Sequence, residues 1–385
     1  MTSTRIHILG VGSIGTLLAH HLRLSKPSTP ISLLVRSPRT FPGQLTSLRD
    51  GKKSVSSGYE VESSLKGEDK WFDEPIKNLL VATKTIQTLD SIKPLIESKR
   101  LDENSTITLL QNGMGVYQEL IDKLFTNEKK RPSFILGTTP HAVSPYNNEK
   151  GQINHNVSLG DGFIKWGLVN DPYKNMNENF SIEQSIWGSR NNDILYKDDL
   201  IDLTIPKERE DLISLRDTIE SIMSLDDLNP QLLKFEELNK ALLLKLVVNS
   251  SVNTITAILG RGLMLNGKLL EIPEGLRLVD SIIKESSEIL LKHLLKSIQT
   301  NSETEIKKVN LEMFEYENLK EMVYKVIKST STNITSMAVD IREKRKTEID
   351  YINGYLVKLG NDLGCNTQTN QMICDMIKFI EKSHH

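Results

Sequence analysis

The apolar residues up to about residue 170 fall into short continuous runs, separated by amphipathic or polar stretches. Runs of this kind predict strands buried on both faces, as in a parallel sheet covered by helices. The predicted strands are Arg5–Leu9, Ile31–Val35, Lys77–Ala82, Ser105–Leu110 and Phe134–Gly137. Two further runs, 152–159 and 162–168, predict later strands, for which antiparallel pairing is open.

From about residue 230 the apolar residues recur at helical spacing instead. The predicted helices are 236–257, 272–295, 311–329 and a C-terminal group. Polar residues dominate three stretches between these patterns, 41–75, 170–210 and 296–310. We expect the first to be a long irregular connection or insertion, the second a surface insertion and the third a connector.

A glycine-rich turn follows the first predicted strand and opens a helix over 16–24, and a second strand comes next. The turn reads Gly10-Val-Gly-Ser-Ile-Gly15, which in this setting predicts a dinucleotide site. Gly10 suits a tight turn, Gly12 lets the backbone approach a pyrophosphate, and Gly15 allows close packing of the helix. We assign Ser13 and Ile14 to the same site, because helix N-termini offer free N–H groups to phosphates. The chain is therefore expected to be α/β: a Rossmann-type doubly wound domain, 1–230, then an all-helical domain, 231–385.

The end of the second strand indicates which dinucleotide is bound. An NAD site usually has an acidic residue there for the ribose hydroxyls, whereas this chain has Arg36 and no acid before Asp50. A guanidinium suits a 2′-phosphate, so NADP is favoured. Lys84 and Asn112 follow later strands at the edge where ligands bind in open parallel sheets, so we expect both to contact the cofactor.

An otherwise apolar helix carries Lys245, Asn249 and Asn253 at a spacing of four. Because an α-helix turns about 100° per residue, these three side chains share one face. A lysine in such a setting needs an ionic or strongly polar partner, so the stripe predicts the wall of a small polar site. Glu348, beside the apolar face of Ile349 and Ile352, is a second half-buried charge that needs a partner.

Composition narrows the class of protein. Charged residues make up 25% of the 385 residues and the net charge is −2, so the overall charge does not favour binding to nucleic acid or to an anionic membrane. Two cysteines, Cys365 and Cys374, indicate neither a disulfide framework nor a metal site. With no apolar run of ~18 residues and a strand from Arg5, we expect no membrane span, no signal peptide and a cytoplasmic location.

Together these motifs resemble those of the ketopantoate reductases (2-dehydropantoate 2-reductases), and the long polar segments suggest a fungal-type relative. The resemblance lies in four stretches: the Gly10–Gly15 turn, Gln111-Asn112-Gly113, the pattern from Lys245 to Ala257, and Thr347-Glu-Ile-Asp-Tyr-Ile-Asn-Gly354. It implies an enzyme of pantothenate and coenzyme A biosynthesis that reduces 2-dehydropantoate to pantoate with NADPH, as a monomer or homodimer, in a cleft between the two domains. A reductase of another 2-oxo acid and a non-catalytic regulatory relative stay open as alternatives.

The resemblance also implies roles for individual residues. Lys245 would be the general acid, Glu348 an essential carboxylate that touches cofactor or substrate, and Asn112 a contact to nicotinamide and substrate. Substrate contacts are implied for Asn249, Asn253, Ser336 and Asn266. No metal is implied.

Placing Ser336 and Glu348 in one site sets a geometric condition. On one straight helix they would be ~18 Å apart and ~120° out of phase. We therefore predict that the helix from Ser336 is interrupted between Ile341 and Thr347, in the basic run. A second helix should then begin near Thr347, with Glu348 in its first turn and facing Lys245.

Overall fold

The structure is a computed structural model that describes residues 5–171, 182–188, 192–202, 210–260, 262–299 and 311–383. About half of the predicted insertion at 170–210 and most of the connector at 296–310 lie outside these residues. The described chain forms two compact units, one of residues 1–111 and 117–239, the other of residues 112–116 and 240–385. The boundary lies after Asn239 rather than at 230, because the strand at 230–233 belongs to the sheet of the first unit.

Thirteen strands are described, all in the first unit. They are β1 (Ile6–Leu9), β2 (Ile31–Val35), β3 (Gln44–Arg49), β4 (Lys52–Ser57), β5 (Glu60–Ser63), β6 (Asn78–Val81), β7 (Thr106–Leu110), β8 (Ser133–Thr138), β9 (Val143–Pro145), β10 (Gln152–His155), β11 (Ile164–Leu168), β12 (Ile194–Leu195) and β13 (Pro230–Leu233). The helices of this unit are α1 (Ser13–Ser25), α2 (Thr85–Glu97), α3 (Val116–Lys123), α4 (Ile182–Trp187) and α5 (Glu210–Ile222).

The main sheet has nine described strands in the order β12-β13-β11-β8-β7-β6-β1-β2-β5. The six strands β5, β2, β1, β6, β7 and β8 lie side by side in this order, and all neighbours among them are parallel. The chain begins in the middle of them, at β1, and adds strands on both sides. This is the predicted doubly wound arrangement, whose ligand crevice lies where the strand order reverses, between β1 and β6. Antiparallel pairing was open for the two later strands, and β11 does pair antiparallel with β8.

The prediction that 41–75 is irregular was wrong. This stretch contains β5 of the main sheet and an antiparallel hairpin, β3–β4, in a second sheet of order β4-β3-β10-β9. The turn is Asp50-Gly51, with φ of 50° and 73°, which is a strong hairpin signal. β4 lacks the alternation of apolar and polar residues that usually marks a strand. Its inward-facing residues include Ser54 and Ser56, which hydrogen-bond the ring of His20 on α1.

The second unit is helical, as predicted. A long helix enters it as α6 (Phe235–Val248), continues through a π-helical segment (Asn249–Asn253) and ends as α7 (Thr254–Leu259). The helices that follow are α8 (Lys268–Glu271), α9 (Pro273–Gln299), α10 (Tyr316–Ser329), α11 (Ser336–Arg342), α12 (Asn353–Leu363) and α13 (Gln368–Ser383). The helix Phe235–Leu259 is long and apolar enough to span a membrane, but 67% of its most apolar window is buried inside the protein, as in a core helix.

Candidate active site

The glycine-rich turn between β1 and α1 has the geometry that a dinucleotide requires. Gly10 has φ of 88°, and a Cβ there would lie 2.6 Å from Cγ2 of Thr83. A Cβ on Gly15 would clash with the carbonyl oxygen of Gly10, so both positions need glycine. At Gly12 a Cβ would meet nothing within 4 Å, which leaves open space beside the first turn of α1. A pyrophosphate fits this space and the N–H groups there, including those of Ser13 and Ile14.

Two predicted cofactor residues follow β2 and β6, the strands on either side of β1. Arg36 directly follows β2; it is exposed and makes no hydrogen bond or ion pair to another residue that the structure describes. The nearby Arg39 is instead paired with Asp69. Lys84 follows β6 and immediately precedes α2, where it is half-buried. Arg36 is therefore available for an anionic group of a ligand.

A polar network missed in the sequence supports this edge of the sheet. The Gln111 side-chain amide donates to the carbonyl oxygen of Thr83 at 2.6 Å and also reaches the Thr88 hydroxyl. Because Thr83 is the residue that packs on Gly10, Gln111 ties the end of β7 to the glycine-rich turn. Its place before Asn112 in the quoted motif was the available signal.

The helical unit brings Lys245, Glu348 and Asn112 together. Glu348 is only 9% exposed, and the side-chain amide of Asn112 donates to its Oε2 at 3.4 Å. Burial lowers the pKa of Lys245 to about 8, while the charge of Glu348 opposes that shift. A lysine with such a pKa can hold a proton near neutral pH and release it readily. Lys245 and Glu348 therefore interact electrostatically, and their facing each other across a substrate stays a prediction.

The segment with Asn112 belongs to this unit although it follows a strand of the sheet. The N–H of Met114 donates to the carbonyl oxygen of Tyr351 at 2.8 Å. Gly113 has φ of 83°, and a Cβ there would lie 2.6 Å from the same oxygen. Only glycine allows the backbone to come this close to Tyr351, which explains the glycine after Asn112 in the motif.

Asn249 and Asn253 begin and end the π-helical segment. A step of four residues overshoots one α-helical turn by about 40°, whereas a wider π turn removes this overshoot. The π segment therefore keeps Asn253 closer to the line of Lys245 and Asn249 than an α-helix would. Asn249 is buried and Asn253 half-buried, and neither side chain hydrogen-bonds another described residue. Both amides are available to a ligand.

Ser336 and Asn266 have different surroundings. Ser336 is exposed at the start of α11, where Thr335 caps the helix by accepting from the N–H of Ala338 at 3.3 Å. Thr335 also bonds the Thr256 hydroxyl at 2.9 Å, a link to α7 that sequence reasoning missed. Asn266 is buried, and its amide donates to the Thr330 hydroxyl at 3.0 Å. Its substrate role stays a prediction.

The interruption predicted after Ser336 is confirmed. α11 ends at Arg342, and Lys344 has φ of 54°, which an uninterrupted helix does not allow. The predicted start of the next helix near Thr347 was wrong: a 3₁₀ turn spans Ile349–Tyr351 and α12 begins at Asn353. The cap of that turn is Glu348, and the hydroxyl of Thr347 accepts from the N–H of Ile349, its first residue, at 3.3 Å.

Comparisons with known proteins identify the family of this chain. A family model described as ketopantoate reductase PanE/ApbA matches residues 6–171, and one for the C-terminal part of the same family matches 237–381. A 2-dehydropantoate 2-reductase of Saccharomyces cerevisiae is 28% identical, with 93% of this chain and 88% of that protein covered. A probable 2-dehydropantoate 2-reductase of Schizosaccharomyces pombe is 27% identical, with 97% and 95% covered.

Solved structures show the same fold. A ternary structure of D-mandelate dehydrogenase with NADH has a TM-score of 0.66 at 17% identity and covers 99% of both chains. A probable 2-dehydropantoate 2-reductase of Bacillus subtilis has a TM-score of 0.60 at 22% identity, with 98% of this chain and 99% of that chain covered. With family models on both parts and fungal relatives along nearly its whole length, the chain belongs to the ketopantoate reductase family, as a fungal-type member.

Proposed function

We propose that this chain reduces 2-dehydropantoate to pantoate with NADPH, a step towards pantothenate and coenzyme A. The observation that carries the proposal is the pair of Lys245 and Glu348 beside two available amides in the helical unit. Reduction of a ketone needs a proton donor at the ketone oxygen, which Lys245 supplies. The two amides supply neutral groups that can orient a 2-oxo acid substrate. The names of the two yeast relatives support the substrate.

For the cofactor, the fit lies in the Gly10–Gly15 turn and in Arg36. The open space at Gly12 accommodates a pyrophosphate, and the available guanidinium of Arg36 suits a 2′-phosphate, which favours NADPH over NADH. When bound, the reduced nicotinamide supplies the hydride for the ketone carbon. Lys84 would add a further positive charge at the same edge of the sheet.

The chain's own residues handle the charge and the proton. As negative charge grows on the ketone oxygen, the Lys245 ammonium stabilises it and donates its proton from Nζ. Glu348 keeps Lys245 protonated by raising its pKa against the effect of burial. Asn112, which donates to Glu348, would hold this carboxylate and contact the substrate beside the nicotinamide.

Substrate orientation is assigned to the amides of Asn249 and Asn253. Amides bind hydroxyl and carboxylate oxygens without adding charge that would perturb Lys245. Ser336 and Asn266 are proposed as further contacts, Ser336 for its exposed hydroxyl at the start of α11. We propose a cytoplasmic enzyme, monomeric or homodimeric, and light scattering of the purified protein distinguishes these two states.

The test is NADPH oxidation, followed by absorbance, with 2-dehydropantoate and a panel of other 2-oxo acids. We expect the highest kcat/KM with 2-dehydropantoate, with pantoate as the product by mass spectrometry. A higher kcat/KM with another 2-oxo acid would assign that substrate instead. NADPH binding without turnover of any 2-oxo acid would indicate a regulatory relative.

A further inference from the structure

A chain of buried polar groups ends at the π-helical segment between Asn249 and Asn253. The Nδ2 of Asn353, a fully buried residue at the start of α12, donates to the carbonyl oxygen of Ser250 at 3.1 Å. The same Nδ2 donates to Oδ1 of Asn370 at 2.9 Å. The amide of Asn370 in turn donates to the carboxylate of Glu285 at 2.7 Å. All of these residues belong to the helical unit.

The carboxylate of Glu285 determines the direction of every bond in this chain. A carboxylate only accepts, so Asn370 must present its NH₂ group to Glu285 and its oxygen to Asn353. Asn353 must then present its NH₂ group to Asn370, and this group also faces Ser250. The orientation of the Asn353 amide thus follows from chemistry, and a flipped amide would place two oxygens together.

The carbonyl of Ser250 lies inside the π segment, next to Asn249. Two side chains donate to it, Asn353 and the hydroxyl of Thr254. π turns interrupt the regular i→i+4 ladder, and outside donors of this kind stabilise such interruptions. An asparagine from a distant part of the sequence therefore supports the widened turn that carries both proposed substrate amides.

Asn353 also lies close in sequence to the proposed catalytic carboxylate. The 3₁₀ turn Ile349–Tyr351 connects the two, and the N–H of Tyr351 donates to the carbonyl oxygen of Glu348 at 3.0 Å. One buried side chain thereby joins the segment that carries Glu348 to the segment that carries Asn249 and Asn253.

We propose that Asn353 is a positioning residue for the reaction, which holds the π-helical segment in the geometry that lets Asn249 and Asn253 bind the substrate. The inference rests on the proposed function, and it extends that function to a residue that touches neither substrate nor cofactor. It gives Asn353 a role distinct from packing, because the bond to Ser250 acts on the backbone between the two amides.

Asn353→Ala and the milder Asn353→Ser test this role, with Asn78→Ala as the matched control. Asn78 is equally buried and is hydrogen-bonded to Thr218 at 3.0 Å, but it lies at the start of β6 in the other unit. For Asn353→Ala we expect KM for 2-dehydropantoate to rise by about tenfold, the effect of one lost hydrogen bond. The Kd for NADPH should change by less than about twofold, as expected for a loss confined to substrate binding. Asn78→Ala should lower the melting temperature but leave KM unchanged.

Hydrogen exchange of the 246–257 backbone is the second measurement, and it needs no substrate. We expect faster exchange there in Asn353→Ser than in the wild type, and no such change in Asn78→Ala. Unchanged KM and exchange in both Asn353 variants would overturn the positioning role, as would an equal rise of KM in Asn78→Ala. If the wild type fails to turn over 2-dehydropantoate, the proposed function is wrong, and the exchange comparison still decides whether Asn353 holds the π segment.

Discussion

At the scale of single residues, the balance around Lys245 decides how the site responds to pH. Burial favours the neutral amine and lowers the pKa to about 8, whereas the Glu348 carboxylate favours the ammonium. A general acid must be protonated, so kcat/KM should be constant at neutral pH and fall as the pH rises through about 8. In Glu348→Gln the supporting charge is lost, so the alkaline limb should move to lower pH. Profiles of kcat/KM against pH for both proteins measure this, and a limb unmoved in Glu348→Gln would contradict it.

Removal of the proton donor tests the assignment of Lys245 itself. Lys245→Ala should lower kcat by ~10²–10⁴, the usual contribution of acid–base catalysis, and keep the Kd for NADPH. Lys268→Ala is the control, because Lys268 is exposed and paired with Glu271 in the same unit. Near-normal turnover in Lys245→Ala would transfer the role to another group, with Glu348 the first candidate.

We expect Arg36 to determine the preference for NADPH over NADH. Loss of a charged hydrogen bond should weaken NADPH binding in Arg36→Ala by about 1–3 kcal/mol, and NADH binding should hardly change. Arg39→Ala is the control, since Arg39 is exposed and engaged with Asp69. Fluorescence titration of both cofactors gives the Kd values. An equal loss of affinity for NADPH and NADH would show that Arg36 does not bind the 2′-phosphate.

Residue types and spacing were sufficient to find Lys245 and Glu348, because a charge on an apolar face is rare and needs a reason. They were insufficient for Asn353 and Gln111. The buried Asn353 acts on a backbone oxygen over 100 positions away in sequence, and no local pattern encodes that partner. The role of such a residue can be recognised only in the folded structure, where the two segments are in contact.

At the scale of elements, a distance argument predicted the interruption after α11, but not where the next helix begins. The condition was that Ser336 and Glu348 share a site, and any interruption between them satisfies it. The 3₁₀ turn at Ile349–Tyr351 follows from tertiary contacts, among them the bond from the N–H of Met114 to the Tyr351 carbonyl. The π segment was likewise invisible, since Asn249–Asn253 has no proline or glycine to mark it.

The start of α13 depends on a buried carboxylate of another helix. Glu285 on α9 is 5% exposed and accepts from the backbone N–H groups of Thr369 and Asn370, each at 2.8 Å. Glu285→Ala would leave these donors unsatisfied, so we expect the helical unit to lose about 2–4 kcal/mol. Urea unfolding followed by far-UV circular dichroism measures the loss, with the exposed Glu288→Ala on the same helix as control. Equal stability of the two variants would mean that water replaces the carboxylate at no cost.

At the scale of the whole molecule, the histidines are unevenly distributed. His20, His21, His141 and His155 form one buried cluster in the first unit, where the rings of His141 and His155 are 4.8 Å apart and bonded at 3.0 Å. The surrounding groups are Arg49, Asp50 and Asp227, with Asp227 3.6 Å from His21. Among the residues that the structure describes, His293 is the only histidine outside the first unit.

Burial lowers the pKa of His20 to about 4 and those of His21 and His155 to about 3, and it also lowers the pKa of His141. An unfolded histidine has a pKa near 6.5, so below that pH the unfolded chain binds more protons than the folded one. The free energy of unfolding of the first unit should therefore fall from pH 6.5 downwards, by on the order of 1 kcal/mol per histidine and pH unit.

Tryptophan fluorescence isolates this unit, because Trp71, Trp166 and Trp187 all belong to it and the chain has 3 tryptophans. The urea midpoint by fluorescence should be clearly lower at pH 5.5 than at pH 7. His20→Gln keeps a partner for Ser54 and Ser56 but does not titrate, so the difference between the two pH values should shrink. His293→Gln should leave the difference unchanged, because it lies in the helical unit. Equal midpoints at both pH values would contradict the lowered pKa values of the four histidines.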